Sequence, residues 1–254
     1  MRELELVVAD WPAPPNVRAG CTTRAGGVSE GVYTALNLGA HVGDESGAVA
    51  ENRRRFVTAV ELPGEPLWLR QVHGVHVSDA AQYDPDEEAD AIVSADGSDV
   101  LGIMTADCLG ILLCADDASE TAALHCGWRS LSGGLVARTV ERMRTPPERL
   151  LAWLGPAIAQ PAFEVGSEVR EVFMAGIDDA ADCFVQNERG RWQADLYGLA
   201  RRYLDAVGIV SVHGGGLCTF ADRERFFSYR RDGQTGRLCT FIYLENEGDT
   251  SISG

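Results

Sequence analysis

Apolar positions fall along this chain in short runs, most of them strand-sized, and rarely in long helical periods. Runs rich in β-branched, aliphatic and aromatic residues at Leu67–Val77, Ala91–Val93, Val100–Thr105, Ile111–Ala115, Thr121–His125, Leu150–Leu154 and Val210–His213 predict strands. Phe226–Tyr229 and Leu238–Leu244 bracket Arg231–Gly236, which holds an Asp-Gly turn signal, so this pair predicts a hairpin. Helical spacing is clearest over Asp195–Val207, where Leu196, Leu199, Tyr203 and Val207 share a face, and weaker over Ala48–Val60, Gly134–Arg144 and Glu164–Met174. The strict strand–helix–strand rhythm is missing, and Gly215 and Gly216 form no dinucleotide fingerprint after a strand. The expected fold is therefore α/β, or α+β, with mixed sheets flanked by helices.

No repeat or low-complexity linker divides the sequence, so one domain over residues 1–244 is expected, followed by a flexible polar tail, 245–254. The acidic stretches Asp84–Asp90 and Ile177–Asp182 read as surface loops or helix ends. No run approaches the ~18 apolar residues of a membrane span, and no basic segment leads into an apolar one at the N-terminus. A cytoplasmic location and no membrane partner are expected.

Composition sharpens this picture at one point. The chain of 254 residues has 22 basic side chains against 38 acidic ones, a formal charge of −16 that repels nucleic acid, so no nucleic-acid partner is expected. Every basic residue is arginine; there is no lysine. P-loop, protein-kinase, Schiff-base and pyridoxal phosphate chemistry all need one. Any anion bound here must be held by arginine, histidine, backbone amides or a metal. Seven cysteines without regular spacing read as free thiols.

Three short pieces gather the soft and borderline metal ligands: Gln71-Val-His-Gly74, Thr105-Ala-Asp-Cys108 and His125-Cys-Gly-Trp-Arg129. Each lies in or beside a predicted strand, where strand ends from distant segments converge at a rim. Two histidines and a thiolate leave one coordination position open, as catalytic zinc requires. The wide spacing equally suits a buried thiol and two hydrogen-bonded core histidines, and a metal-free alternative uses Cys108 as nucleophile, His125 or His73 as its base, and Asp107 or another carboxylate to orient the base. Cys126, next along an extended strand from His125, should face the core.

Those pieces, with Thr22-Thr-Arg-Ala-Gly-Gly-Val-Ser29, Leu36-Asn-Leu-Gly39, His41-Val-Gly-Asp44, Glu51-Asn-Arg53, Leu154-Gly-Pro156, Phe163-Glu-Val-Gly166 and Phe227-Ser-Tyr-Arg-Arg-Asp-Gly233, resemble the signatures of the YfiH-like family. Gly110, Cys126, Ser130 and Ala157 depart from its pattern, where proline, alanine, glycine and cysteine are expected. That family is variously described as polyphenol oxidase or laccase domain, peptidoglycan editing factor, and purine nucleoside phosphorylase with adenosine deaminase activity. The resemblance implies a fold related to the cytotoxic necrotizing factor type of cysteine hydrolase. It also implies Zn2+ on His73, Cys108 and His125, beside a cleft for a purine nucleoside and phosphate.

Of the candidate roles, Arg53 is the first choice for phosphate because the resemblance puts its segment at the cleft, and an arginine fork suits two phosphate oxygens. Asp107 is a candidate proton shuttle or a cap on a backbone turn. Gly26, Gly27 and Ser29 read as a base or ribose pocket, or as a tight turn. Asn37 reads as a substrate ligand or as a partner for its own loop, and the resemblance places His41 near the cleft. Phe227 is a candidate purine platform, and Arg230 or Arg231 a second anion ligand, whereas Trp128 and Phe163 are expected in the core. A multicopper oxidase needs more histidines than the five present, although copper suits a His/Cys/His site. A peptidoglycan-precursor amidase is the alternative function.

Overall fold

Residues 3–245 are described by the structure, a computed structural model. Two mixed sheets meet face to face and divide the apolar positions between three cores. The first has the order β1–β2–β14–β6–β3, from β1 (Leu6–Val8), β2 (Val17–Thr22), β3 (Leu67–Trp68), β6 (Leu101–Thr105) and β14 (Leu238–Leu244). The second runs β13–β9–β7–β8–β5–β4, from β4 (Val77–Asp79), β5 (Ala91–Ser94), β7 (Leu109–Ala115), β8 (Thr121–Cys126), β9 (Leu150–Leu154) and β13 (Ser211–Gly214). A small third sheet joins β10 (Glu164–Val165), β11 (Phe184–Gln186) and β12 (Trp192–Ala194). The mixed α/β domain with few helices agrees with the sequence expectation.

Strand alternation explains the layering. In β7, Leu109, Ile111 and Leu113 join the core shared with the helices, whereas Leu112 and Cys114 join the core between the two sheets. In β14, Leu238 and Ile242 face the other sheet, whereas Cys239, Phe241 and Tyr243 pack with Phe56 of α1 (Ser46–Val60) on the outer face. Both faces of β7 and β8 are buried, which is why these strands read as unbroken apolar runs. The helices α2 (Trp128–Ser132), α3 (Leu135–Arg142), α4 (Ser167–Gly176) and α5 (Leu196–Ala206) cover the second sheet. Asp195 caps α5 by accepting from the Gly198 N–H at 3.0 Å. Among the described residues no helix is long and apolar enough to cross a membrane.

The structure corrects three expectations. The strand Leu67–Val77 is only its two ends, β3 and the first residue of β4; residues 69–76 between them form a loop in which His73 has φ 61°. The hairpin is absent: Tyr229–Asp232 is a short helix, α6, with Ser228 accepting from the Arg231 N–H, and β14 pairs instead with β2 and β6. Here the Asp-Gly signal ends a helix, with Gly233 at φ 68°. Strands β1, β2, β11 and β12 lie outside every predicted run, and β10 takes the first two residues of the expected helix Glu164–Met174, which begins instead at Ser167. Glu245, the first residue of the expected tail, pairs with Arg18, and its N–H donates to the Asn16 carbonyl; 246–254 lie outside the described residues.

The sheets approach closely where β7 and β9 cross β14. A Cβ at Gly110 would lie 2.7 Å from Thr240 Oγ1, and one at Gly155 would lie 3.1 Å from the same atom. Gly110, one of the departures from the family pattern, is thus matched to Thr240. Replacing Gly110 with alanine is expected to lower the unfolding free energy by about 1–3 kcal/mol in urea denaturation, because the added carbon must push two sheets apart. Gly64→Ala, where a Cβ meets nothing within 4 Å, should stay within about 0.5 kcal/mol of wild type.

Candidate metal centre

Two of the three ligand segments are places where the chain passes from one sheet to the other. The turn Ala106–Cys108 joins β6 of the first sheet to β7 of the second, with Asp107 at φ 98°, and the His73 loop joins β3 to β4. His125 comes from β8 itself. The ligating atoms of His73, Cys108 and His125 lie within 4.8 Å of one another. Cys108 Sγ is 3.6 Å from His73 Nε2, and the two imidazole rings meet edge to face with centroids 4.7 Å apart. His125 is buried, Cys108 half-buried and His73 exposed, so the cluster is closed on one side and open on the other. Gly127 makes the convergence possible: a Cβ there would stand 2.9 Å from His73 Cδ2 and 3.1 Å from Cys108 Sγ. Cys126 packs in the helix-side core, as strand alternation requires.

One carboxylate, which sequence reasoning did not single out, sets this arrangement. Asp90, read as the end of an acidic surface stretch, is fully buried. Its Oδ1 lies 2.7 Å from His125 Nδ1 and accepts from the His73 N–H at 2.9 Å; its Oδ2 accepts from the N–H groups of Gly74 and Val72 at 2.6 and 3.2 Å. Asp90 therefore fixes one histidine through its ring and the other through its backbone. The available signal was register: Asp90 precedes β5, which pairs with β8, and the Asp90 carbonyl accepts from the His125 N–H. Gln71 ties the His73 loop to β6 with both amide atoms, each 2.8 Å from the Met104 backbone.

The charges follow from these contacts. Burial by itself would raise the Cys108 thiol, but the charge and hydrogen bonds of His125 and His73 outweigh it and hold the thiol below its ordinary value. Burial would lower His125, but Cys108 and Asp90 carry it upward. Asp90 is held below the usual carboxylate range by His125 and by the Gly74 and Val72 N–H groups, against the effect of its burial.

The cluster opens into a cavity of about 570 Å³. Arg129, Arg230, Arg237 and His41 line it, as do Trp128, Phe163 and Tyr229. Trp128 and Phe163 are therefore walls of the site as well as parts of the packing. Arg129 lies over the Trp128 ring and Arg230 over Phe163. Asp107 also reaches the cavity, with its carboxylate engaged by Thr219 Oγ1 and the Arg230 N–H, both at 2.6 Å.

Other predicted residues lie elsewhere. Arg53 faces a different cavity, with its guanidinium over Trp68 and its Nε on the Leu38 carbonyl. Gly26 and Gly27 line a third cavity, where a Cβ at Gly27 would meet the Ala35 carbonyl oxygen at 2.1 Å. Ser29 and Asn37 are buried and bond to Asp44, and Phe227 is fully buried beneath Arg24. Arg231 spends its guanidinium on Asp232 and on the carbonyls of Thr219, Phe220 and Phe226.

The donor set fits a zinc or copper ion: three N/S ligands on an open side, with a carboxylate on the far nitrogen of His125. The family model described as multi-copper polyphenol oxidoreductase laccase matches residues 18–245. The chain is 50% identical over 240 residues to the purine nucleoside phosphorylase PA4543 of Pseudomonas aeruginosa, covering 93% of this chain and 97% of that protein. It is 47% identical over 241 residues to the purine nucleoside phosphorylase YfiH of Escherichia coli, covering 94% and 99%. The crystal structure of the Neisseria meningitidis protein NMB0706 superposes with a TM-score of 0.91 at 45% identity, over 95% of this chain and 99% of that one.

Asp90→Asn should weaken zinc binding about 10- to 100-fold in a competition titration with a chromophoric chelator, since asparagine cannot offer an anion to His125. In metal-stripped protein, alkylation of Cys108 should persist below the range where an ordinary thiol of pKa about 8.5 loses its thiolate. His125→Gln should move that inflection upward, because the charge that favours the thiolate is gone. An unmoved inflection would show that the pair is not coupled.

Proposed function

As this chain belongs to the multi-copper polyphenol oxidoreductase laccase family, and its relatives are named purine nucleoside phosphorylases, we propose that it is a purine nucleoside phosphorylase. The carrying observation is the His73–Cys108–His125 cluster, open to a cavity whose walls combine aromatic rings with arginine. On this reading residues 1–244 are the catalytic domain and work in the cytoplasm, where thiols stay reduced. The substrates are adenosine, inosine, guanosine or methylthioadenosine, with inorganic phosphate. A phosphate oxygen bonds to C1′ of the ribose as the C1′–N9 bond breaks. The electron pair leaves on the purine, and the purine takes up the proton that the phosphate gives up.

The chain's residues divide this work by their chemistry. Trp128, Phe163 and Tyr229 offer apolar faces for a base, and the rim arginines offer charge for the phosphate dianion. Burial, with Arg237 and Arg53 behind it, holds the His41 imidazole below its usual value, so it stays neutral and serves as a hydrogen-bond partner for the ribose. Asp107 acts from beneath: by receiving the Arg230 N–H it fixes where that side chain begins. His73, Cys108 and His125 would hold zinc, or copper in its place, which supplies a Lewis acid. Deamination of adenosine, in which water adds at C6 and ammonia leaves, is the second reaction read into this cavity.

A second reading has one observation in its favour. Cys108, His125 and Asp90 stand in the order of a nucleophile, a base and an orienting carboxylate. That order suits a cysteine amidase acting on a cell-wall precursor peptide, the role expected of an editing factor on a cysteine-hydrolase fold. A copper-loaded polyphenol oxidase would have this one centre: among the described residues one His/Cys cluster forms, while His76 bonds Glu87 and His213 bonds Ser211.

Incubated with inosine or adenosine, the purified protein should release ribose 1-phosphate and free base in the presence of phosphate and not in its absence. Cys108→Ala should lose bound metal and this turnover together. Turnover that needs no phosphate, or a Cys108→Ala protein of full activity, would overturn the reading. Peptide hydrolysis that survives a chelator would favour the amidase.

A further inference from the structure

We infer that Arg237 is the anchor for the phosphate oxyanion, replacing Arg53 in the role assigned from sequence. The identity of the anion rests on the phosphorylase reading; the existence of an anion site does not. Arg237 is the residue just before β14, and its placement is over-determined. Its main-chain N–H donates at 2.9 Å to Oδ1 of the fully buried Asn37, and its side-chain stem runs against Gly39, where a Cβ would stand 2.7 Å from Arg237 Cγ. Asn37 is held in turn by Asp44 and by Asn52 of α1, whose amide donates to the Asn37 carbonyl at 2.9 Å. The loop carrying His41 and the start of β14 are thus tied to one buried polar network.

The guanidinium end is under-satisfied. Its Nη1 donates to the carbonyls of Thr235 and Gly236 at 3.0 and 3.1 Å, and among the described residues no carboxylate forms an ion pair with it. An arginine carries five N–H donors, so among the described residues Nε and Nη2 have no protein acceptor, and neither is a buried orphan. The side chain lines the cavity that holds the cluster. Burial draws the guanidinium below its usual value, against Cys108, Asp107, Tyr229 and Tyr33, which act the other way. A half-buried cation with two open nitrogens in a fixed fork is completed by an oxyanion taking two bonds at once.

The other arginines lack one or more of these features. Arg53 already has Leu38, Glu65 and the Trp68 face as partners. Arg230 bonds the Glu164 carbonyl through Nη1. Arg129 stands exposed on Trp128, where water serves its charge. Arg237 is the fixed, half-buried one in the cavity that holds Cys108.

Isothermal titration of the metal-loaded protein with inorganic phosphate, without nucleoside, tests this directly. Arg237→Gln should weaken phosphate about tenfold or more, the loss expected for a charge-assisted pair, and Arg237→Lys should recover part of it. Should Arg237→Gln fail to fold, Gly39→Ala, which displaces the stem, should produce a loss in the same direction. Unchanged affinity in the Arg237 variants, a loss appearing in Arg53→Gln instead, or a site that takes free glutamate in preference to phosphate would overturn the inference. Phosphate binding that depends on Arg237 in a protein without phosphorolytic turnover would sink the phosphorylase reading and leave the anion site standing.

Discussion

A single buried carboxylate organises the molecule's chemistry. Asp90 has no exposed surface, and four donors face it: one imidazole nitrogen and three consecutive backbone amides. A buried anion with fewer partners would be expensive, and a donor left facing it without a proton to give would be worse. The His73 loop therefore folds back on Asp90 rather than continuing as a strand, with His73 in the left-handed region as the geometric consequence. The ring of His125 is oriented by the same oxygen that receives the His73 amide. Positions of two ligands are thus not independent.

The layered sheets decide where this happens. The face of the second sheet that meets the helices takes Cys126, Leu124 and Leu109; the opposite face, toward the first sheet, leaves room at its end for His125. Glycines stand at the contacts that alternation would otherwise close. Gly110 and Gly155 admit Thr240, and Gly127 admits His73 and Cys108. The departures of this chain from its family's pattern near the site are, at Gly110 and Cys126, packing choices with a neighbour to account for them. For Ser130 and Ala157 the structure gives no such account.

The elements legible in the sequence were those whose neighbours are local. Asp195–Val207 carries its own cap and its own apolar stripe, and its helix is found within a residue of expectation at each end. The cluster was legible through the family resemblance, since the wide spacing of His73, Cys108 and His125 is equally that of a buried thiol and two core histidines. What escaped depended on distant partners. Nothing around Phe226–Tyr229 announces that Asp107, more than a hundred residues earlier, will receive the Arg230 amide and favour a helical turn. Ser29 ends a glycine-containing turn and Asn37 stands between leucines, and the polarity of both is consumed by a network with Asp44 and Asn52 that the local sequence does not reveal. Arg53 and Arg237 look alike as letters; only the folded chain sets one over the Trp68 ring beside another cavity and the other in the wall of the cavity that holds the cluster.

Because the segments bearing Cys108 and His73 are both bridges between the layers, the distances inside the cluster register the alignment of one sheet upon the other. Sliding or parting the layers would spread the sulfur and the imidazoles, so a bound cation would resist that motion as a rivet resists shear. Occupancy would then stiffen the seam between the sheets and make both come apart together on heating, tying metal supply to the lifetime of the folded chain.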